Sequence, residues 1–347
     1  MNATAKSESG NALRNVVAGV IVAAALAAGS YWWLNRGTDG RPSGPPEAIT
    51  LANSMAYPGS SLIALAQAKG YFEAAGLQVA IQPFATGKAC LDAMIEGKAD
   101  FATGADIPFM FATLRAAPVK AIATMSTSGG EYGIVARSDR GISSPANLVG
   151  KRMGATQGTS GHFWLDAYLV RQHVDSSRIK LVNLAPDKMA AALSAGEVDA
   201  VVTWEPYFGA VKDALASNAR VFTATGIYDS PWILATTRDV AGKRPEAIRR
   251  LLHALERANR YYASEPAAAR ALLAELRKED PARLNAVLDF FRFDLRLGQS
   301  LLGTLEDESR WAMRNKLTSA EKVPNFLDHV YTEGLQSVNP NAVTIIR

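Results

Sequence analysis

Two stretches a hundred residues apart share one layout, and it constrains the fold more than any other feature of the chain. Gly196 to Tyr207 (GEVDAVVTWEPY) sets a Gly three residues before Asp199, then the apolar run Ala200 to Thr203, then Glu205 and a proline. Gly97 to Pro108 (GKADFATGADIP) repeats this with Gly97, Asp100, the run from Phe101, Asp106 and Pro108. Glycine suits the left-handed residue past a helix end, and proline suits the first turn of a helix. A short apolar run between them is a buried strand. Each copy therefore reads as helix stop, turn, strand and helix start. Two copies predict a chain of two similar α/β halves.

The rest of the chain fits that plan. Its 347 residues are long for one domain and natural for two lobes. Strands are expected at Ile49–Ala52, Gln78–Gln82, Phe101–Thr103, Ala121–Met125 and Gly133–Ala136. A second round follows at Arg152–Ala155, Ile179–Leu184, Ala200–Thr203 and Arg220–Thr223, with one more strand at Trp232–Thr237. Helical patterns fill the gaps, an alternation that favours mostly parallel sheets covered by helices. From Pro245 the pattern is helical throughout: Pro245–Ala263, Pro266–Lys278, Pro281–Phe291 and Leu302–Leu317, three of them opened by proline. This tail is expected to pack on one lobe without contributing to a site.

Before the first strand lies a different kind of segment. Val16 to Leu34 is free of charge for 19 residues, which as a helix spans about 28 Å, close to a bilayer core. Tyr31, Trp32 and Trp33 resemble an interfacial aromatic belt, so residues 16–34 read as a transmembrane anchor behind a short tail, 1–15. A cleaved signal peptide is the other reading, because Ala25-Leu26-Ala27 resembles a processing site. Residues 35–48, rich in Gly, Pro and charge, read as a flexible linker. Both readings predict export.

Charge and cysteine content exclude several classes. Setting aside Lys6, Arg14, Arg36 and Glu8 from the 37 bases and 33 acids leaves 34 and 32, a balance without a footprint for nucleic acid. Cys90 is the sole cysteine, so there is no disulfide, no cysteine-rich metal site and no lipidated N-terminal cysteine.

In open α/β sheets, ligands bind past the carboxyl ends of strands, where helix N-termini point. The loop Asn53 to Ser61 follows the first strand, and Thr156 to His162 follows the first strand of the second half. Both are glycine-and-hydroxyl loops that open a helix, suited to an anion cradle and equally to plain capping. Candidate binding residues are Asn53, Tyr57, Gly59, Ser60, Ser61, Thr86, Gly87, Ser126, Thr159 and Ser160. Trp204, Tyr207, Tyr228 and Trp232 read either as an aromatic wall, with Trp204 and Tyr228 as the binding candidates, or equally as core. Asp106 and Glu205 read either as helix caps or as ligand contacts. His162 reads as a solvated residue at a helix start. No phosphate-binding G-x-x-x-x-G-K-[ST], no G-x-S-x-G and no H-E-x-x-H occurs. No catalytic residue, metal or cofactor is expected, and the chain is not read as an enzyme.

From SSLIALAQAKGYFEAAGLQV (60–79) through FATG (84–87), EGKADFATGADIP (96–108), Gly158-Thr159-Ser160 and TWEPY (203–207), the chain resembles the periplasmic solute-binding proteins of ABC importers for nitrate, aliphatic sulfonates and taurine. Binders of thiamine-pyrimidine precursors are similar. The resemblance covers about residues 49–240. It implies a type II periplasmic-binding-protein fold, α/β in class, with two lobes joined by a hinge. Lobe one would hold residues 49–136 and 231–347, and lobe two residues 137–230. It implies a small-molecule ligand in the interlobe cleft, permease and ATPase subunits as partners, and a periplasmic location, here with an inner-membrane anchor at 16–34. A pyrimidine-handling enzyme on the same fold, for which Cys90 and His162 are the only reactive candidates, and a ligand-sensing lobe for a membrane partner are the alternatives.

Overall fold

The computed structural model describes residues 45–346. The proposed anchor at 16–34 and most of the linker lie outside the described residues. Among the described residues, no helix is long and apolar enough to cross a membrane.

The first sheet is built from β1 (Glu47–Asn53), β2 (Leu77–Pro83), β3 (Phe101–Ala105) and β4 (Val119–Ser128), interleaved with α1 (Ser61–Ala68), α2 (Tyr71–Ala74), α3 (Gly87–Ile95) and α4 (Asp106–Leu114). The second holds β5 (Tyr132–Arg137), β6 (Arg152–Ala155), β7 (Lys180–Asn183), β8 (Ala200–Trp204) and β9 (Ala219–Thr223), with α5 (Ser160–Arg171), α6 (Met189–Ala195) and α7 (Tyr207–Leu215). The chain then returns to the first sheet through β10 (Ser230–Thr237). Next come α8 (Arg238–Lys243), α9 (Pro245–Ser264), α10 (Pro266–Arg277), α11 (Pro281–Leu288), β11 (Phe291–Arg296), α12 (Gln299–Arg314) and α13 (Glu333–Val338).

The Gly-x-x-Asp repeat does the same work in both halves. Gly97 and Gly196 hold φ of 76° and 74°, a conformation that a side chain disfavours. Each glycine turns the chain so that the following Asp reaches the neighbouring parallel strand. Asp100 accepts the Thr50 amide at 2.7 Å and the Thr50 hydroxyl at 2.9 Å. Asp199 accepts the Arg152 amide at 2.9 Å and the Arg152 guanidinium at 2.9 Å. β3 is thereby clamped to β1, and β8 to β6, each in parallel register. Arg244, just before α9, adds an ion pair to Asp100 at 2.9 Å.

Three parallel strands per sheet follow from this, in the orders β11-β4-β10-β3-β1-β2 and β7-β6-β8-β5-β9. The remaining pairings are antiparallel, so the sheets are mixed rather than mostly parallel. The reason is connectivity: the chain leaves the first sheet along β4 and re-enters along β10, which must run the other way. The strand at 132–137, expected to close the first lobe, pairs instead with β8 and β9 in the second sheet.

The C-terminal segment is not all helix. Phe291, Phe293 and Leu295 alternate with Arg292, Asp294 and Arg296, and this period-two stretch is β11, pairing with β4. α9 is the central helix of the tail. Ile248, Leu251, Leu252, Leu255 and Ala258 lie along one face and are fully buried in the largest core, each leucine contributing about 1.5–3 kcal/mol. α12 does more than cover a lobe: Trp311 donates to Asp166 of α5 at 2.9 Å, so the tail reaches the second-sheet helices.

The clamp yields a direct expectation. Asp100→Ala should lower the unfolding free energy by about 2 kcal/mol, the scale of hydrogen bonds to a charged group. A urea midpoint and slope indistinguishable from the parent would show that the clamp is dispensable.

Candidate functional site

One cavity collects residues from the ends of strands in both sheets. β1 delivers Ser54, Ala56 and Tyr57; β2 delivers Ala85, Thr86, Gly87 and Lys88; β3 leads into Ala105 and Pro108. From the second sheet come Tyr132 at the start of β5, Thr159 and Ser160 after β6, Trp204 at the end of β8, and Pro206 and Tyr207 after it. Trp232 of β10 completes the wall. The cavity is tight, about 30 Å³, room for one or two water molecules.

Helix starts furnish its polar surface. Thr159 precedes α5, and Thr86 caps α3, accepting the Ala89 amide at 3.2 Å. The first amides of each helix have no intrahelical acceptor and point outward with the positive end of the dipole. The glycine at 87 is required by packing, since a Cβ there would lie 2.6 Å from the Trp232 ring and 2.7 Å from the Gly104 Cα. Aromatic rings form the rest: Tyr57 and Trp232 pack with centroids 4.2 Å apart, and Trp204 meets Tyr207 edge-on at 6.1 Å. Among the described residues lining the cavity, Lys88 alone is basic, and its ammonium pairs with Asp92 at 2.5 Å.

Of the residues expected from sequence, Tyr57, Thr86, Gly87, Thr159, Ser160 and Trp204 line this cavity. Ser60 sits directly behind it, accepting the Trp232 indole N–H at 3.0 Å. Others serve the loop's own architecture. Asn53 accepts the Thr103 hydroxyl at 2.7 Å, Ser61 donates to the Pro58 carbonyl at 2.6 Å, and Ser126 donates to the Gly59 carbonyl at 3.1 Å. Glu205 faces away: it accepts the Gly209 amide at 3.2 Å and lines a separate groove with Phe208 and Arg283. Burial raises its carboxyl above the ordinary value.

Asp106 is the first residue of α4 and is fully buried. Its Oδ1 accepts from Ser160 at 3.2 Å, from the Ile107 amide at 2.9 Å and from the Tyr228 hydroxyl. The same Tyr228 oxygen lies 3.4 Å from Oε1 of Glu308 on α12. Glu308 is likewise buried, and Asp106 Oδ2 and Glu308 Oε2 receive no hydrogen bond from any other described residue; the two carboxyls are within hydrogen-bonding reach of each other through a shared proton. Two buried carboxyls side by side cannot both ionise. Burial first, then mutual repulsion, holds Glu308 well above the usual range, so the pair keeps a proton.

A further buried carboxyl, Glu131, lies where the chain passes from β4 to β5. Its Oε1 accepts from Tyr57 at 2.6 Å and Ser128 at 2.5 Å, while Oε2 has no partner among the described residues. Desolvation pushes Glu131 up to about 7. Sequence reasoning missed Glu131, Glu308, Tyr132 and Lys88. A lone acid between Gly129-Gly130 and an apolar strand was the available signal for Glu131.

A family model described as "NMT1/THI5 like" matches residues 58–269. The chain belongs to that family. Among relatives, a putative binding protein of Brucella abortus is 26% identical over 66% of this chain and 71% of its own. The taurine-binding periplasmic protein of Escherichia coli is 25% identical over 58% of this chain and 63% of its own. The alkanesulfonate-binding protein SsuA from Xanthomonas axonopodis pv. citri, solved bound to MOPS, superposes with a TM-score of 0.71 at 20% identity, over 84% of this chain and all of that one. The fold is thus the α/β periplasmic-binding-protein fold. The desulfurization enzyme DSZB shares it at a TM-score of 0.61 and 18% identity, over 85% of this chain and 99% of that one.

The reactive candidates are poorly placed for catalysis. Cys90 is fully buried and its thiol is pushed up to about 12, chiefly by desolvation, so the nucleophilic thiolate is suppressed. His162, expected in solvent, is buried and set edge-on against the Trp311 ring at 5.4 Å. Burial holds its pKa below the usual imidazole value.

The raised value of Glu131 has a consequence for stability. The unfolded chain releases this proton near the ordinary glutamate value, about 4.3, whereas the folded chain holds it up to about 7. Between those limits the folded state binds more protons, so stability falls as pH rises and levels off above the window. Glu131→Gln should flatten that part of the urea-unfolding profile between pH 4 and pH 8. A slope equal to the parent's would assign the effect to other groups.

Proposed function

We propose that this chain is the solute-binding component of an ABC-type importer and captures a small sulfonate, of the alkanesulfonate or taurine class, in a cleft between two lobes. The observation that carries the reading is the cavity itself, which combines helix starts and hydroxyls with the rings of Tyr57, Trp204, Tyr207 and Trp232. Helix-start amides suit the sulfonate oxygens, and the rings suit a short alkyl or aminoalkyl chain. Relatives named for taurine and aliphatic sulfonates support the ligand class.

On this reading the lobes correspond to the two sheets, and the passages at 129–131 and 224–229 form the hinge. A cavity of about 30 Å³ is smaller than a sulfonate ligand, so entry requires the lobes to part and close again. Residues 16–34 would tether the protein to the inner membrane on its periplasmic side, within reach of permease and ATPase partners.

Ligand-induced thermal shift tests the proposal. Taurine, ethanesulfonate, MOPS, nitrate and a thiamine-type aminopyrimidine would be compared, since a ligand at 100 times its Kd adds about 2.7 kcal/mol. A shift with sulfonates that disappears in Trp204→Ala, whose own melting stays cooperative, is the expected outcome. A shift with the aminopyrimidine alone would reassign the ligand class.

A further inference from the structure

The polar wall of the cavity is backed by carboxyls. Tyr57 and Ser160, which line it from opposite sheets, each direct their hydroxyl to a buried acid: Tyr57 to Glu131 and Ser160 to Asp106. A hydroxyl has one proton to donate. While those acids are ionised, both hydroxyl protons are held on them, and the wall offers an incoming anion lone pairs backed by negative charge. Once a carboxyl is protonated it can itself donate, which frees the hydroxyl to turn toward the ligand and removes the repulsion. Glu131 Oε2 is buried and has no partner among the described residues, so it has an open position for that proton, and the Asp106–Glu308 pair, which already keeps one proton between its two carboxyls, has room for a second.

The groups facing these acids do not cancel the effect. Around Glu131 stand Tyr57, Ser128 and Tyr132, with Glu205 adding a like charge. Around Asp106 and Glu308 stand Tyr228, Ser160 and Tyr132, with Asp307 adding a like charge. On α5, His162 is kept toward its neutral form by burial, and Asp166 is engaged by Trp311. Lys88, at the cavity rim, is paired with Asp92.

Resting on the sulfonate reading above, we propose that this chain captures its anion together with protons, which Glu131 and the Asp106–Glu308 pair take up as the cleft closes. These acids then act as positioning residues that set the pH range and the charge type of ligand the site accepts. Because a bound anion favours the protonated acids, binding is tightest at low pH. It weakens as pH rises through about 7, where free Glu131 gives up its proton, and linkage makes the effect reciprocal.

Calorimetry of the full chain with ethanesulfonate, in sulfonate-free buffers of different ionisation heat (bis-Tris, imidazole and Tris), tests this from pH 5.5 to 8.5. The expected result is affinity about tenfold weaker at pH 8 than at pH 6, the effect of one pKa unit of coupling, with net proton uptake on binding. Glu131→Gln, or Asp106→Asn if that variant fails to fold, should reduce both the uptake and the pH slope. Ethanesulfonate binding with no proton uptake and a pH-independent Kd would overturn the proposal and leave the sulfonate reading standing. Parent-like uptake in both folded variants would also overturn it. No binding by the folded parent at any pH would overturn the sulfonate reading and the proposal with it.

Discussion

The antiparallel pairing of β4 with β10 is the constraint on which the site depends. β4 is the last strand before the chain leaves the first sheet, and β10 is the first after it returns. Their register sets Ser128 opposite Ser230, which brings both passages between the sheets side by side. Backbone that crosses in this way is neither helix nor sheet and still requires hydrogen-bond partners. Glu131 lies in one passage and Tyr228 in the other, both buried. Through Tyr57 and Asp106 they tie the passages to the loop after β1 and to the start of α4. The geometry of the cavity wall and the conformation of the two passages are therefore one network.

Much of this was legible in the sequence because it depends on local chemistry. Gly97 and Gly196 announce turns by residue type and spacing, and Pro245, Pro266 and Pro281 open helices α9, α10 and α11. The clamps made by Asp100 and Asp199 depend on partners 50 and 47 positions away and were not legible. What escaped depends on distant partners. The strand at 132–137 looks the same whichever sheet it joins, and only its pairing with β8 and β9 decides. β11 had a local signal in Phe291, Phe293 and Leu295, but it was hidden by the helical patterns on either side. Glu308 follows Glu306 and Asp307 in a stretch that reads as a solvated helix face, and its burial comes from Tyr228 and Asp106, 80 and 202 positions earlier in the chain.

The candidate site was legible as a set of loops and less so as a set of contacts. Glycine-and-hydroxyl loops at strand ends mark where a ligand can approach a helix start. Sequence does not say which hydroxyls face inward, because that depends on what each one bonds behind the wall. Ser61 and Ser126 are committed to carbonyls and Asn53 to Thr103, whereas Thr86 accepts an amide and keeps its own proton. The two acids that followed the repeated strands also part company. Asp106 enters the network behind the cavity, and Glu205 serves the first turn of α7.

The sealed cysteine has a practical side. A chain with one thiol, fully buried on α3 and held in its protonated form, is nearly silent toward thiol-directed reagents while folded. Cysteines introduced at exposed positions on the two lobes would then carry a donor and an acceptor dye with little background from Cys90. Lobe movement could be followed by energy transfer in the otherwise native sequence, with the packing around α3 undisturbed.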